Sequence, residues 1–221
     1  MVIRQFQYQV EGSYLSDHNN LLLENEIEAS FGINFQNSAE FSVQIQREKE
    51  FIDYDWEVRD GFIIPKGTYT GYDYSVRANS DASRPVAVGV DVDYGNYYTG
   101  HRAGFDLDGT ITRIRQLRME VNYNHNYVDL PGGSFHTNTL GLRAFYFFST
   151  ELYIKAYVQW NDDKYYFAGK EKIVSNFLLR WIYSPASNLY LVYNDGRLVG
   201  PGQTEITNRT FMLKATFFWR K

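Results

Sequence analysis

Apolar and polar residues alternate along most of the chain, the pattern of β-strands that present one apolar face. In segment 5–10, two aromatic residues and a valine alternate with three glutamines. In segment 86–93, four valines occupy the even positions, and Asp91 and Asp93 occupy odd positions. Helical periodicity is nearly absent. Counted from end to end, the alternation predicts twelve strands and therefore an all-β fold.

Two kinds of all-β protein share this alternation, namely soluble sandwiches or barrels and transmembrane barrels. Three features favour the membrane class. The apolar face stays free of charge through nearly every strand centre, and Asn25 is the one clear polar residue on it. The opposite face carries charged and amide side chains, and the chain ends in the aromatic-rich segment TFFWRK. We therefore predict an antiparallel transmembrane β-barrel of about 12 strands, with the soluble β-fold as the alternative.

The links between the predicted strands fall into two classes that alternate along the chain. The predicted short turns lie near residues 36–39, 79–84, 110–114, 149–150 and 184–187, and the predicted longer links lie near 48–66, 95–100, 126–135, 161–171 and 195–207. Bacterial outer-membrane barrels have short periplasmic turns and longer external loops. The pattern predicts this arrangement, with both ends of the chain on the short-turn side.

Composition supports the same class. Aromatic residues make up 18% of the chain, with 19 Tyr, 16 Phe and 4 Trp, which suits a protein that places rings at a lipid–water boundary. The mean hydropathy is −0.43, and no run approaches the roughly 18 apolar residues of a membrane helix. A net charge of −4 argues against a nucleic-acid partner. The absence of cysteine excludes disulfides and removes the usual zinc ligand.

The first 20 residues lack the apolar core and the small-residue cleavage site of a secretory signal. An outer-membrane protein requires export, so we expect residues 1–221 to form one outer-membrane barrel domain that is the C-terminal part of a longer chain. A periplasmic N-terminal domain, covalently attached, is then an expected partner, together with outer-membrane lipid.

Four segments carry a family resemblance: IIPKGTYTGYDYSVRANSDASRPVAV (63–88), YVDLPGG (127–133), YFFSTELYIKAYVQWN (146–161) and NFLLRWIYSPASNLYLVYNDGR (176–197). They resemble the C-terminal outer-membrane β-barrel region of an uncharacterised bacterial family, domain of unknown function 5916. The resemblance covers the chain from about residue 40 to its end. It implies a Gram-negative outer-membrane barrel, often preceded by a domain similar to family-nine carbohydrate-binding modules. It supplies no catalytic or sugar-binding residue for this chain.

Charges on the polar face are predicted to separate by sign along the barrel wall. The lumen-facing acidic wall comprises Glu24, Glu26, Glu28, Asp91, Asp93, Asp106 and Asp108, and the lumen-facing basic wall comprises Arg143, Lys155, Arg180 and Lys214. One hypothesis is a field across a water-filled pore that orients polar solutes. The other is that the charges pair across a narrow interior and plug it, which a barrel of modest strand number allows.

Other chemistry is weakly indicated. Glutamates at i and i+2 on one strand are about 7 Å apart, too far for one cation to bridge easily. Hydrolysis requires a serine beside a histidine base, and His18, His101, His125 and His136 form no such motif, although Ser134 precedes His136 by two residues. Aromatic residues in the predicted loops fit an interfacial girdle, or alternatively a surface that stacks on sugar rings. They are Phe51, Tyr54, Trp56, Tyr97, Tyr98, Tyr165, Tyr166 and Phe167.

We therefore expect no catalytic residues, cofactor or metal in this chain. The predicted function is a porin-like narrow pore for small polar solutes, or a membrane anchor for a periplasmic domain. The alternative is the barrel portion of a carbohydrate-binding or hydrolase-like protein that handles saccharides through a region outside this chain.

Overall fold

The computed structural model describes residues 2–219, and every regular element in that range is a β-strand. The strands are β1 (Ile3–Ser16), β2 (Leu22–Phe35), β3 (Glu40–Ile52), β4 (Trp56–Arg59), β5 (Phe62–Ile64), β6 (Gly67–Asn79), β7 (Val86–Tyr97), β8 (Gly100–Ile114), β9 (Leu117–Leu130), β10 (Gly133–Phe147), β11 (Leu152–Asn161), β12 (Glu171–Ser184), β13 (Ser187–Gly200) and β14 (Gln203–Thr216). Arg220 and Lys221, which complete the TFFWRK segment, lie outside the described residues.

Twelve strands form one antiparallel sheet in the order β1-β2-β3-β6-β7-β8-β9-β10-β11-β12-β13-β14. The predicted strand number and the all-β class are thus confirmed. The remaining two strands, β4 and β5, pair with each other as a hairpin inside the predicted loop 48–66. Within residues 2–219 the sheet begins at β1 and ends at β14, and no pairing of these two strands is detected.

The predicted alternation of short and long links is wrong in detail. Three links expected to be long, at residues 98–99, 131–132 and 201–202, contain only two residues each. The strands are longer than the apolar alternation indicates, because backbone pairing continues through polar residues beyond the apolar stretch. Pairing of β13 with β14, for example, runs to Gly200 and Gln203. Longer connections remain at 53–66, which holds the hairpin, and at 162–170.

The chain divides into two compact units. Unit 1 contains residues 1–82, 88–107 and 124–137, and unit 2 contains residues 83–87, 108–123 and 138–221. Unit 1 therefore holds β1 to β3, the hairpin, β6 and most of β7. Unit 2 holds β11 to β14 and most of β10. Each unit is described by itself below.

In unit 1 the strand register aligns apolar residues in rows on one face. One such row comprises Tyr8, Phe31, Val43, Val76 and Val92. Unit 2 has equivalent rows, one of which comprises Tyr146, Ile154, Leu179, Leu191 and Leu213. Since side chains alternate between the two faces of a strand, the residues between them form an opposite, polar face.

The apolar face is exposed. Val76 is 43% exposed, Val92 45% and Phe177 42%. By contrast, the buried hydrophobic residues among those described are only Ala39, Ile52, Ile64, Val128 and Leu130. A chain of this length normally buries a large apolar core, so the distribution is inverted with respect to a water-soluble protein. Residues 2–219 contain no helix that is long and apolar enough to cross a membrane.

Candidate functional site: the polar face of the sheet

Acidic side chains of unit 1 collect on the polar face of β2 and β3. Glu24 is aligned with Glu50, and Glu26 is aligned with Glu48. Glu28 is aligned with Glu11 on β1. Like charges directly across a ladder repel one another unless solvent screens them, so this surface favours cations. Glu24, Glu26 and Glu28 thus lie together on this face, next to three carboxylates outside the predicted acidic wall, those of Glu11, Glu48 and Glu50.

The sequence does not predict Glu48 and Glu50 as members of the acidic wall, because the alternation of polar and apolar residues breaks beside them. In the segment QIQREKEF the polar alternation continues from Gln44 to Glu50, but Arg47 and Lys49 occupy the positions expected to be apolar. Charged residues on both faces of a segment are typical of a loop. In the structure, however, β3 continues to Ile52. The unbroken series of polar residues at even positions was the signal that extended the strand.

Asp93 belongs to a charge cluster centred on Arg102. Arg102 Nη2 lies 3.2 Å from Asp73 Oδ1, and its Nε lies 3.7 Å from Asp93 Oδ2. Two glycines make room for the carboxylates. A Cβ atom at Gly95 would collide with the Asp73 carboxylate and the Tyr72 carbonyl, and one at Gly104 would collide with the Asp93 carboxylate. The glycines therefore allow two aspartates to approach one guanidinium.

The other predicted acids are individually partnered. Asp91 forms an ion pair with Arg77 on β6. Asp106 accepts a hydrogen bond from the side-chain amide of Asn124. Asp108, in unit 2, accepts one from the side-chain amide of Asn122. Ion pairs and amide hydrogen bonds within the same face hold these carboxylates in place and reduce the field they exert.

The predicted basic residues lie on the polar face of unit 2, interleaved with aromatic rings. The register aligns Phe147, Tyr153, Arg180, Tyr190 and Lys214 across five strands, and we call this row the basic–aromatic strip. The Arg180 guanidinium lies 5.5 Å from the Tyr190 ring centre and 6.0 Å from that of Tyr153. Cation–π attraction of this kind fixes the guanidinium between two rings.

Arg143 and Lys155 lie in neighbouring rows of the same face. Arg143 Nη1 forms an ion pair of 2.9 Å with Glu120, and the guanidinium lies 5.2 Å from the Tyr157 ring centre. Lys155 Nζ lies 5.4 Å from the ring centre of Phe145. The four predicted basic residues thus share one surface, and the Arg143 charge is balanced by a carboxylate.

A cleft of about 150 Å³ opens on the polar face of unit 1. It is lined by Glu48, Glu50, Tyr69, Thr70, Gly71, Asp73, Asn96, Tyr97, Tyr98 and Arg102, and we call it the tyrosine cleft. The ring of Tyr98 lies 5.3 Å from that of Tyr69 and 5.1 Å from that of Tyr97, at interplanar angles of 90° and 73°. Trp56, from the hairpin, packs edge-on against Tyr98 at 5.7 Å.

Tyr98 is held in the cleft by backbone and side chain. Its φ is 51°, a left-handed conformation that is uncommon for a bulky residue. Its hydroxyl donates a 3.0 Å hydrogen bond to Glu50 Oε2. Burial raises the pKa of the Tyr98 hydroxyl, as do the hydrogen bond and charge of Glu50, so the hydroxyl stays protonated and remains a donor. The two-residue turn at 98–99 directs the ring against its neighbours.

No group of three or more acidic, histidine or cysteine residues in the described range 2–219 is placed to hold a metal ion. Three of the four histidines stack on aromatic or imidazole rings. His101 stacks on Tyr94 at 6.0 Å, and His125 stacks on His136 at 6.2 Å.

No protein-family model matches the chain, and no curated protein or solved structure is significantly similar to it. Membership of the family that the sequence resembles stays a prediction.

Proposed function

We propose that this chain is an integral outer-membrane β-barrel that provides a narrow conduit for small polar solutes. The observation that carries the proposal is the inverted distribution of side chains. Large apolar residues are exposed on one face in both units, whereas the opposite face holds the ion pairs and amide hydrogen bonds. Lipid contact stabilises the first face, and an aqueous interior solvates the second.

The polar face also supports the choice of a conduit. Asn176 donates a hydrogen bond of 2.9 Å to Asn194, and Arg180 donates one of 2.9 Å to Asn188. The basic–aromatic strip combines two cations with three rings across five strands, a surface that binds solutes weakly through both charge and stacking. Weak, repeated binding is what conduction requires, because a solute that binds too tightly does not leave.

Planar-bilayer recording with the refolded full chain tests the proposal. We expect discrete conductance steps that heat-unfolded protein does not give. In the triple variant Lys155→Gln, Arg180→Gln and Lys214→Gln, the reversal potential should shift toward cation selectivity, because three positive charges leave the wall.

A matched control neutralises three exposed basic residues off this face, Arg113, Arg115 and Lys164. It should leave the reversal potential unchanged. Stable insertion into vesicles without any conductance would refute the conduit and support a membrane anchor. Failure to associate with vesicles under conditions that restore β-structure would refute the membrane assignment itself.

A further inference from the structure

The tyrosine cleft has the size of a site for one small molecule. Its volume of about 150 Å³ is below the roughly 300–1,000 Å³ of clefts that hold drug-sized ligands. Its walls come from β3, β6, β7 and β8, and all of its lining residues belong to unit 1. The cleft is therefore formed by one compact part of the chain.

The charges around the cleft favour a cation. Glu48, Glu50 and Asp73 line it, against a single cation, Arg102. That cation is already engaged by Asp73 and Asp93. Glu24 and Glu26, aligned with Glu50 and Glu48, add further negative charge beside the cleft. The negative charges would repel an anionic ligand, and they would not attract a neutral one.

The aromatic rings of the cleft favour an organic cation over a metal ion. Three tyrosines line the cleft, and the rings of Tyr69 and Tyr97 are steeply tilted against that of Tyr98. Tilted rings that line one small space can present their faces to a ligand from different directions, which is the arrangement of an aromatic cage that binds alkylammonium groups by cation–π attraction. A bare metal ion requires closely spaced oxygen ligands, and the described residues offer no such group.

We propose that the tyrosine cleft binds a small alkylammonium cation, with the tyrosine rings around its methyl groups and Glu48 and Glu50 balancing its charge. This inference goes beyond the proposed conduit, because binding to the refolded protein does not depend on conductance.

The test is titration of the refolded full chain with choline chloride in a polyoxyethylene detergent, which carries neither sugar nor ammonium headgroups. Isothermal calorimetry measures the dissociation constant, with sodium chloride titrated at equal ionic strength as the reference. Saturable binding to one site is expected for choline and for tetramethylammonium. Glucose, a larger neutral molecule, should not bind.

Variants assign the binding to the cleft. Tyr98→Leu removes the central ring and should raise the dissociation constant about tenfold, the range expected for a desolvated cation–π contact. Glu50→Gln removes one charge and should weaken binding by a similar factor. Tyr98→Phe keeps the ring and should bind within about threefold of wild type, since cation–π attraction does not need the hydroxyl.

Control variants are Tyr166→Leu, an exposed ring of unit 2, and Asp60→Asn, an exposed carboxylate at the hairpin turn. Both should leave the dissociation constant unchanged. If Tyr98→Leu does not fold, as judged by its β-sheet circular dichroism, Tyr97→Leu carries the same expectation. Choline binding no stronger than sodium, glucose binding as tight as choline, or full affinity in folded Tyr98→Leu would each overturn the inference.

Discussion

An arginine placed on the apolar face distinguishes a lipid-facing surface from a water-facing one. Val43 lies in the middle of the apolar positions of β3, aligned with Phe31 on β2 and Val76 on β6. Tyr8 and Val92 extend the same row. In Val43→Arg the guanidinium would therefore have only apolar neighbours along the row and, in a bilayer, hydrocarbon in front of it.

The expected cost of Val43→Arg is about 2–4 kcal/mol of folding free energy in a bilayer, the range for a cation at the middle of a lipid-facing barrel surface. If this face were in water, the result would differ. Val43 is only partly buried, and a partly exposed surface position usually tolerates a charged residue within about 0.5 kcal/mol. The two environments thus predict costs that differ several-fold.

The matched control is the adjacent substitution Gln44→Arg. Gln44 points to the polar face, where it is aligned with Ser30 and Ser75, and Asp93 is aligned with Ser75. Hydroxyl and carboxylate groups are therefore within reach of the new guanidinium, and we expect a change of less than about 1 kcal/mol.

Equilibrium unfolding in guanidinium chloride, in the presence of lipid vesicles and followed by tryptophan fluorescence, measures both costs. The curves measured during unfolding and during refolding must coincide, because only then is the free energy of unfolding defined. A cost for Val43→Arg within about 0.5 kcal/mol of zero, or equal costs for Val43→Arg and Gln44→Arg, would refute the assignment of the two faces.

Two further predictions concern local features. Gly95→Ala should lower stability by about 1–3 kcal/mol, because its Cβ would collide with the Tyr72 carbonyl, whereas Gly104→Ala should cost less, because only the movable Asp93 carboxylate is in the way. Thermal unfolding in detergent checks this order, and equal losses would contradict it. In the turn after β10, hydrogen bonds from Thr150 and Ser149 lower the pKa of the Glu151 carboxyl below its ordinary 4.5. A carboxyl whose pKa is lower when folded contributes stability above its unfolded pKa, and this is lost as the pH falls through the folded value. Wild type should therefore have a higher melting temperature than Glu151→Gln near pH 7 and lose that advantage as the pH falls below 4.5. An advantage that persists unchanged at low pH would exclude this contribution.

The sequence predicted the strands because each strand's two faces differ in polarity over its whole centre. Alternation with a period of two sets both the existence of a strand and the face of each residue. The opposed placement of Phe177 and Arg180, for example, follows from their positions alone. Strand ends were less predictable, because hydrogen bonding along the ladder does not depend on side-chain polarity.

The sequence predicts the candidate site only in part, because residues that are far apart along the chain come together in it. Arg102 meets Asp73 and Asp93 because the register of three strands brings them together, and no local pattern encodes that register. The segment GNYYTG resembles an open link, so the sequence predicts Tyr98 as an aromatic residue of a loop. The tight turn that directs its ring into the cleft depends on an uncommon left-handed φ, which tyrosine does not signal.

In the proposed barrel, successive side chains of each strand alternate between lipid and water. The chain has no cysteine, so single cysteines introduced one at a time at residues 176–181 of β12 report on each position separately. In vesicles, positions 177, 179 and 181 should be quenched by lipid-bound nitroxides, and positions 176, 178 and 180 should react with an aqueous maleimide. Leu178 is the most telling position, because it is apolar yet lies on the polar face with Lys155. A two-residue period, with Leu178 reacting in water, is the predicted result; equal maleimide reactivity at all six positions would contradict it.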